Sequence, residues 1–556
     1  MTRLRNPVLP GFHPDPSIVR VEADYYLATS TFEWYPGVRI HHSRNLATWR
    51  LVARPLVRPS QLDLRGEPDS CGVWAPDLSH AGGRFHLVFT DVKRYGRTTV
   101  SGAAGTSPRD FHNYWTWSET IEGPWSDPVH LNSTGFDPSL FHDSDGTSWL
   151  LNMLWDHREG RNRFAGIVAQ RIDLADGRLL GEPRAIYGGS PLGFTEGPHL
   201  YQRDGWYHLL VAEGGTGRDH AVSMARSRSL FGPYQPHPDG PVLTAASRPD
   251  APLARTGHGD LVETPGGETW MAYLCGRPLP GADTCVLGRE TAIQRMVWGA
   301  DGWLRTVRGD ALPALDGEAD AAPAPPPSLT REHHRFDAPE LPVSFQWLRS
   351  PYPQRLFSLA ARPGWLRLYG RETIGSLFEQ ALVARRQQAW RYTATTRLEV
   401  APASFQQAAG LVCWYNGSKF HYLHVTTDAE AGRHLCVLSV LPVDGGVDRV
   451  SDPVALPPGA VDLRVDVDLD QLRFAYRLDA AGAWTWLPDT FDASLLSDEA
   501  VLPGQASFTG AFVGMACQDM TGGGMAADFE FFDYAERDAP APDAPVAGCA
   551  PMAARR

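Results

Sequence analysis

Helical patterning is nearly missing from this chain of 556 residues. Apolar residues seldom recur at three- and four-residue spacing, so an all-β chain is expected. No uninterrupted apolar run reaches the roughly 18 residues that would suggest a membrane span. Positive charge is short as well: the formal net charge is −13, which argues against nucleic acid, whose phosphates call for a basic surface. Cysteine is sparse, seven in all. An odd count without CxxC spacing fits reduced thiols in a cytoplasmic protein better than a disulfide framework. Cys71 and Cys285 stand near motif residues, yet read as small buried packing residues. The opening MTRLRNPVLPGF has no apolar signal core, so no secretory signal is expected.

Tryptophan (18) and glycine (54) are plentiful instead. Both suit β-rich folds, and exposed Trp suits the stacking of sugar C–H faces. Five short stretches resemble one another: HPDPSI from His13, APDLSH from Ala75, FDPSLF from Phe136, TEGPHL from Thr195 and GHGDLV from Gly257. Their acids are Asp15, Asp77, Asp137, Glu196 and Asp260, separated by 62, 60, 59 and 64 residues. A β-type run follows each about ten residues later, as in FHLVFT from Phe85 and WYHLLV from Trp206. Any single stretch reads as a turn. Five at one period read as a radial repeat, and about 60 residues suits one four-stranded propeller blade. If each stretch begins an innermost strand, the five acids meet at the axis. Carboxylates so crowded cannot all ionise, and their pKa values should spread, as acid–base chemistry requires.

The expected fold is a five-bladed β-propeller followed by a C-terminal β-sandwich. The propeller takes residues 1–320. A Pro/Ala-rich stretch at 313–328 reads as a semi-rigid linker. Short alternating runs from about 329 to 536, such as AAGLVCWYN and VDLRVDVDL, read as the sandwich. Residues 537–556 read as a disordered tail.

The ordered motifs NPVLPGFHPDPSI, GVWAPDLS, GFDPSLFHD, FTEGPHLY, AEGGTGRDHA, LGRETAIQ and FTGAFVGMACQD resemble glycoside hydrolase family 43, and within it the two-domain β-xylosidases. The resemblance covers nearly all of the chain to about residue 536. It implies hydrolysis with inversion by three carboxylates: Asp15 as general base, Glu196 as general acid and Asp137 as the carboxylate that orients the acid and tunes its pKa. Inversion needs a water between base and sugar, hence carboxyls roughly 6.5–9.5 Å apart. A bell-shaped rate profile should follow, its alkaline limb from Glu196 and its acid limb from Asp15.

The resemblance further implies that Arg289 holds a sugar hydroxyl and limits the pocket to one terminal unit; a salt bridge to Glu290 or a nearby acid is the competing reading. Phe32, Trp74 and Ala75 correspond to pocket walls, with core packing as the rival reading for each, and Thr216 to a pocket-lining threonine. Phe508 corresponds to a phenylalanine that a sandwich loop brings over the pocket, with sandwich core as the alternative. His258 corresponds to a histidine near the axis that binds a structural cation, often calcium, largely through waters, or hydrogen-bonds the acids. No cofactor is expected to be required. The substrate implied is xylobiose and short xylo-oligosaccharides, losing terminal β-D-xylose, with α-L-arabinofuranosidase as a side activity or the main one. A homo-oligomer, dimer or tetramer, is also implied. The segment 281–286 is shorter than the loops associated with this group, which leaves its role open. Two rivals stay on the page. A retaining fructoside-cleaving propeller would hold its carboxyls nearer 5 Å apart, and a sugar-binding propeller would not need three matched acids.

Overall fold

The computed structural model describes residues 2–95, 109–319, 329–442, 447–501 and 507–540. Among these, regular structure is all strand apart from two 3-10 turns, Pro353–Arg355 and Ala493–Leu495. No helix among them is long and apolar enough to cross a membrane. Two compact units are present. One takes the described residues to 62, then 71–277, then those from 289 to 319; the other takes 63–70, 278–288 and those from 329 onward.

The first unit is a five-bladed propeller. The innermost strands are Ser17–Val21, Gly72–Ala81, Ser139–His142, Glu196–Arg203 and Ala254–Glu263, each paired with the next strand of its own blade. Thr269–Gly276, second in its blade, is buried along its whole length. That is what a strand covered on both faces requires, and its WMAYLC run supplies the apolar side chains.

The ring closes through the chain's first residues. Thr2–Arg5 pairs antiparallel with Asp316–Ala319. The buried Asn6 donates to the carbonyls of Ile293 and Ala314, both at 2.8 Å, and accepts from the Ile293 N–H at 2.9 Å. Leu4, Leu9, Ile18, Leu27, Trp270 and Ile293 share one core cluster across this seam. The reading of 313–328 as linker is therefore corrected for its first part. Asp316–Ala319 is a strand because Thr2–Arg5 offers it an open edge; 320–328 lie outside the described residues.

The second unit is a β-sandwich of two antiparallel sheets. Tyr392, Ala394, Thr396 and Leu398 are buried along Arg391–Glu399, while the residues between them are not. Such alternation marks a strand with one face on a core. Segment 278–288 belongs here rather than with the propeller strands that flank it. Leu279, Val286 and Leu287 pack with Trp390 and Leu469, and the Ala511 N–H bonds the Val286 carbonyl at 3.0 Å. Gly288 has φ +70°, and a Cβ there would lie 2.2 Å from the Thr509 carbonyl oxygen, so no larger residue fits. Arg537 is tied down, its guanidinium 2.7 Å from Asp466, so the tail does not begin there; 541–556 lie outside the described residues. The six described cysteines are buried thiols, as expected for Cys71 and Cys285.

Candidate active site

The repeat is real, but its register differs from that of the acids. Asp15, Ala75, Asp137, Gly197 and His258 all have positive φ, between 36° and 55°, at the same point of their blades. In the second, fourth and fifth blades a register shift in strand pairing falls there. These residues form one tier around the axis. Two positions on, Ser17, Asp77, Ser139, His199 and Asp260 form a second. The expected ring of five equivalent carboxylates is thus corrected. Asp77 and Asp260 belong to the second tier, because a strand's side chains repeat every two residues.

The second tier stitches the blades. Asp260 accepts from Ser17 Oγ at 3.0 Å, from the Ile18 N–H at 2.7 Å and from the Tyr201 hydroxyl. Asp77 accepts from the Leu140 N–H at 2.9 Å. His199 Nδ1 stands 3.5 Å from Asp77 and 3.6 Å from Asp260. Burial opposes charge on His199, but the two carboxylates outweigh it and lift its pKa to about 9. Asp77, His199 and Asp260 stand close enough to share a metal ion. Backbone and hydroxyl donors also reach these carboxylates.

The first tier carries Asp15 and Asp137, with Glu196 beside Gly197. Asp15 is buried, and both oxygens are engaged. Arg289 Nη1 donates to Oδ1 at 2.9 Å and Ser30 Oγ to Oδ2 at 2.6 Å. Ser30 is itself fixed by the Ala75 N–H at 2.7 Å. The competing reading of Arg289 as a salt-bridge partner is met through a nearby acid, since it pairs with Asp15, while Glu290 is held by Arg277 through two bonds of 2.7 Å. Adjacent residues entering a strand face opposite ways, so Arg289 and Glu290 cannot both turn to the axis.

Asp137 accepts the Gly197 N–H at 3.0 Å. Burial first, and the Asp15 charge second, push its pKa up to about 8. Glu196 is raised well above the ordinary carboxyl range, by burial, then by Asp137, then by Asp15. The two titrate as a pair. One buried cluster therefore holds a carboxyl braced by a guanidinium and two whose environment favours keeping a proton.

Aromatic rings line this side of the axis. Phe32 is buried with its ring 5.3 Å from Trp74, and Trp74 lies 5.0 Å from Tyr95 and 5.7 Å from Phe136. The Arg289 guanidinium lies 5.3 Å from the Phe32 ring centre. Ala75, with Gly197, is one of the two small residues of its tier. Thr216 is half-buried in the turn between Trp206–Glu213 and Ala221–Ser227. Phe508 lies in the sandwich unit, where its N–H donates to Ser70 Oγ at 3.0 Å. Tyr95 and Phe136 escaped the sequence reading; an aromatic directly before Asp137 was the available signal.

His258 Nδ1 is 3.9 Å from Asp15 Oδ1, and burial lowers its pKa to about 4, so it is neutral. The imidazole supplies no oxygen, so a calcium beside it would rest largely on waters. Calcium takes about six to eight oxygens. Here the nearest carboxylate is spent on Arg289 and Ser30, and Arg289 and His199 add positive charge.

A stability signature follows from the pair. Between about pH 4 and pH 8 native Asp137 keeps a proton that the unfolded chain has released. The unfolded state then binds fewer protons, so stability falls as pH rises through that window, by about 1.4 kcal/mol per pH unit for one proton. Asp137→Asn should flatten this slope in urea titrations at pH 5, 6, 7 and 8, and should shift the alkaline limb of the rate profile. An unchanged slope and limb would refute the assignment.

Residues 4–304 match the profile of glycosyl hydrolases family 43, and 333–535 match a beta xylosidase C-terminal Concanavalin A-like domain. The chain is 48% identical over 539 residues to "Xylosidase/arabinosidase 43B" of Humicola insolens, covering 96% of this chain and 98% of that one. It is 45% identical to "Beta-xylosidase" of Bacillus subtilis strain 168, covering 96% and 100%. The crystal structure of a xylan beta-1,4-xylosidase from Bacillus halodurans C-125 superposes with a TM-score of 0.90 at 47% identity, covering 96% and 100%. With propeller, sandwich and clustered carboxyls in place, the chain belongs to glycosyl hydrolase family 43.

Proposed function

We propose that this glycoside hydrolase removes single β-D-xylose units from the non-reducing ends of xylobiose and short xylo-oligosaccharides, with inversion. The observation that carries the reading is the division of charge among three buried carboxyls. Asp15, paired with Arg289, is suited to accept a proton from water. Glu196, holding its proton through burial and the neighbouring acids, is suited to donate one. The oxygen of that water bonds to the anomeric carbon as the bond to the leaving oxygen breaks, and the Glu196 proton goes to the leaving oxygen. Asp15 ends protonated and Glu196 ionised, and exchange with solvent restores both. Asp137 is the positioning residue for Glu196, through Gly197. Arg289, Phe32, Trp74, Ala75 and Thr216 are proposed to enclose the terminal sugar. The names of the relatives support the substrate class, and the one named for both activities supports α-L-arabinofuranosides as a second.

The test compares kcat/KM for nitrophenyl β-D-xylopyranoside and nitrophenyl α-L-arabinofuranoside, with the first product's anomer read by NMR. Faster xyloside turnover and α-xylose as first product are expected. A retained β anomer would overturn the mechanism, and faster arabinoside turnover would reverse the specificity.

A further inference from the structure

Phe194 is an anomaly two residues before Glu196. It is a large apolar side chain, yet 53% exposed. Its φ is +52°, a left-handed conformation that strains a residue with a Cβ and persists only where the surroundings impose it.

The surroundings do impose it. Glu213, fully buried at the end of the apolar strand Trp206–Glu213, accepts the Ser190 N–H at 2.7 Å, Ser190 Oγ at 2.6 Å and Thr195 Oγ1 at 2.9 Å. One carboxylate thus clamps both ends of the loop that carries Phe194. The Gly214 N–H adds a bond to the Gly193 carbonyl at 2.9 Å. Gly189 permits the closure, since a Cβ there would lie 2.1 Å from Thr195 Oγ1. Within this frame the Phe194 ring meets Phe164 edge-on at 5.1 Å. It also flanks Gly215, whose missing Cβ would sit 3.7 Å from it.

Resting on the glycosidase reading above, we infer that Phe194, held out by the Glu213 brace and backed by Phe164, is the stacking platform for the leaving-group sugar. The acid that protonates the departing oxygen lies on the leaving-group side of the scissile bond. Phe194 stands two residues before that acid, and through Phe164 its ring continues the aromatic wall of Phe136 and Trp155, which lie 6.0 Å and 5.5 Å from Phe164; this continuity is what assigns it to the second sugar. Its edge contact with Phe164 leaves the residue 53% exposed, so little of it serves the core. A flat ring presented to solvent beside the acid offers a face to sugar C–H groups.

The experiment compares xylobiose with β-D-xylosyl fluoride, which has the same terminal sugar and no second one. Phe194→Ala should raise KM for xylobiose about tenfold and leave xylosyl fluoride turnover within twofold. Phe194→Tyr should restore xylobiose, and Phe194→Leu, which keeps an apolar contact for Phe164, should show the same xylobiose-selective loss. Equal losses on both substrates, or none, would overturn the inference alone. A wild-type enzyme inert toward both would overturn the glycosidase reading and this inference with it.

Discussion

Glu196→Gln is expected to lower kcat on xylobiose by about 10³-fold, within the range for removing a positioned general acid. Gln keeps the volume and can still hydrogen-bond, but it has no proton to give to a departing sugar oxygen. The loss should shrink on nitrophenyl xyloside, because nitrophenolate leaves without a proton. Stability should move the other way. Glu196 is held in a buried site that disfavours its charge, so a neutral amide there should leave unfolding by urea unchanged or harder. A variant with full xylobiose activity would remove Glu196 from the acid's role, and an equal loss on both substrates would point to distortion of the pocket.

Asp15→Asn is expected to cost about 10³-fold in kcat on both substrates, since activation of water does not depend on the leaving group. Its stability should fall. Arg289 is buried, and its guanidinium faces Asp15 at 2.9 Å. Taking the charge from one partner of a buried pair costs about 3–5 kcal/mol when the other stays behind. Asn retains an acceptor for Arg289, so the lower end is expected for Asn and the upper end for Asp15→Ala. The two substitutions thus separate by substrate and by direction of stability. Asp15→Asn without loss of stability would mean that the Arg289 pair contributes little to the fold, and Asp15→Asn with unchanged kcat would end its assignment as base.

Much of the site was legible in the chain. HPDPS, FDPSL and TEGPH each pair an acid with Pro or Gly at a strand's beginning, and buried Asp15 and Asp137 do lie near enough to act on the charge of Glu196. What misled was counting from acid to acid. Asp77 and Asp260 repeat at nearly the same spacing, yet a shift of two residues along a strand moves a side chain to the next tier. The markers of equivalence are the backbone positions Asp15, Ala75, Asp137, Gly197 and His258, and positive φ has no spelling in sequence when Ala or His adopts it. Glu213 was missed for a similar reason. A carboxylate ending WYHLLVAE is visible, but its partners Ser190 and Thr195 come from another strand's approach.

The chain by itself determined an all-β molecule, five repeats and three acids, because turn residues, strand alternation and period are local properties. Only the tertiary structure decided which acids crowd together and which one meets Arg289, whose partner lies 274 residues away. It also decided which carboxyls keep their protons. Those outcomes depend on burial and on distances across the ring, and neither is a property of any one stretch.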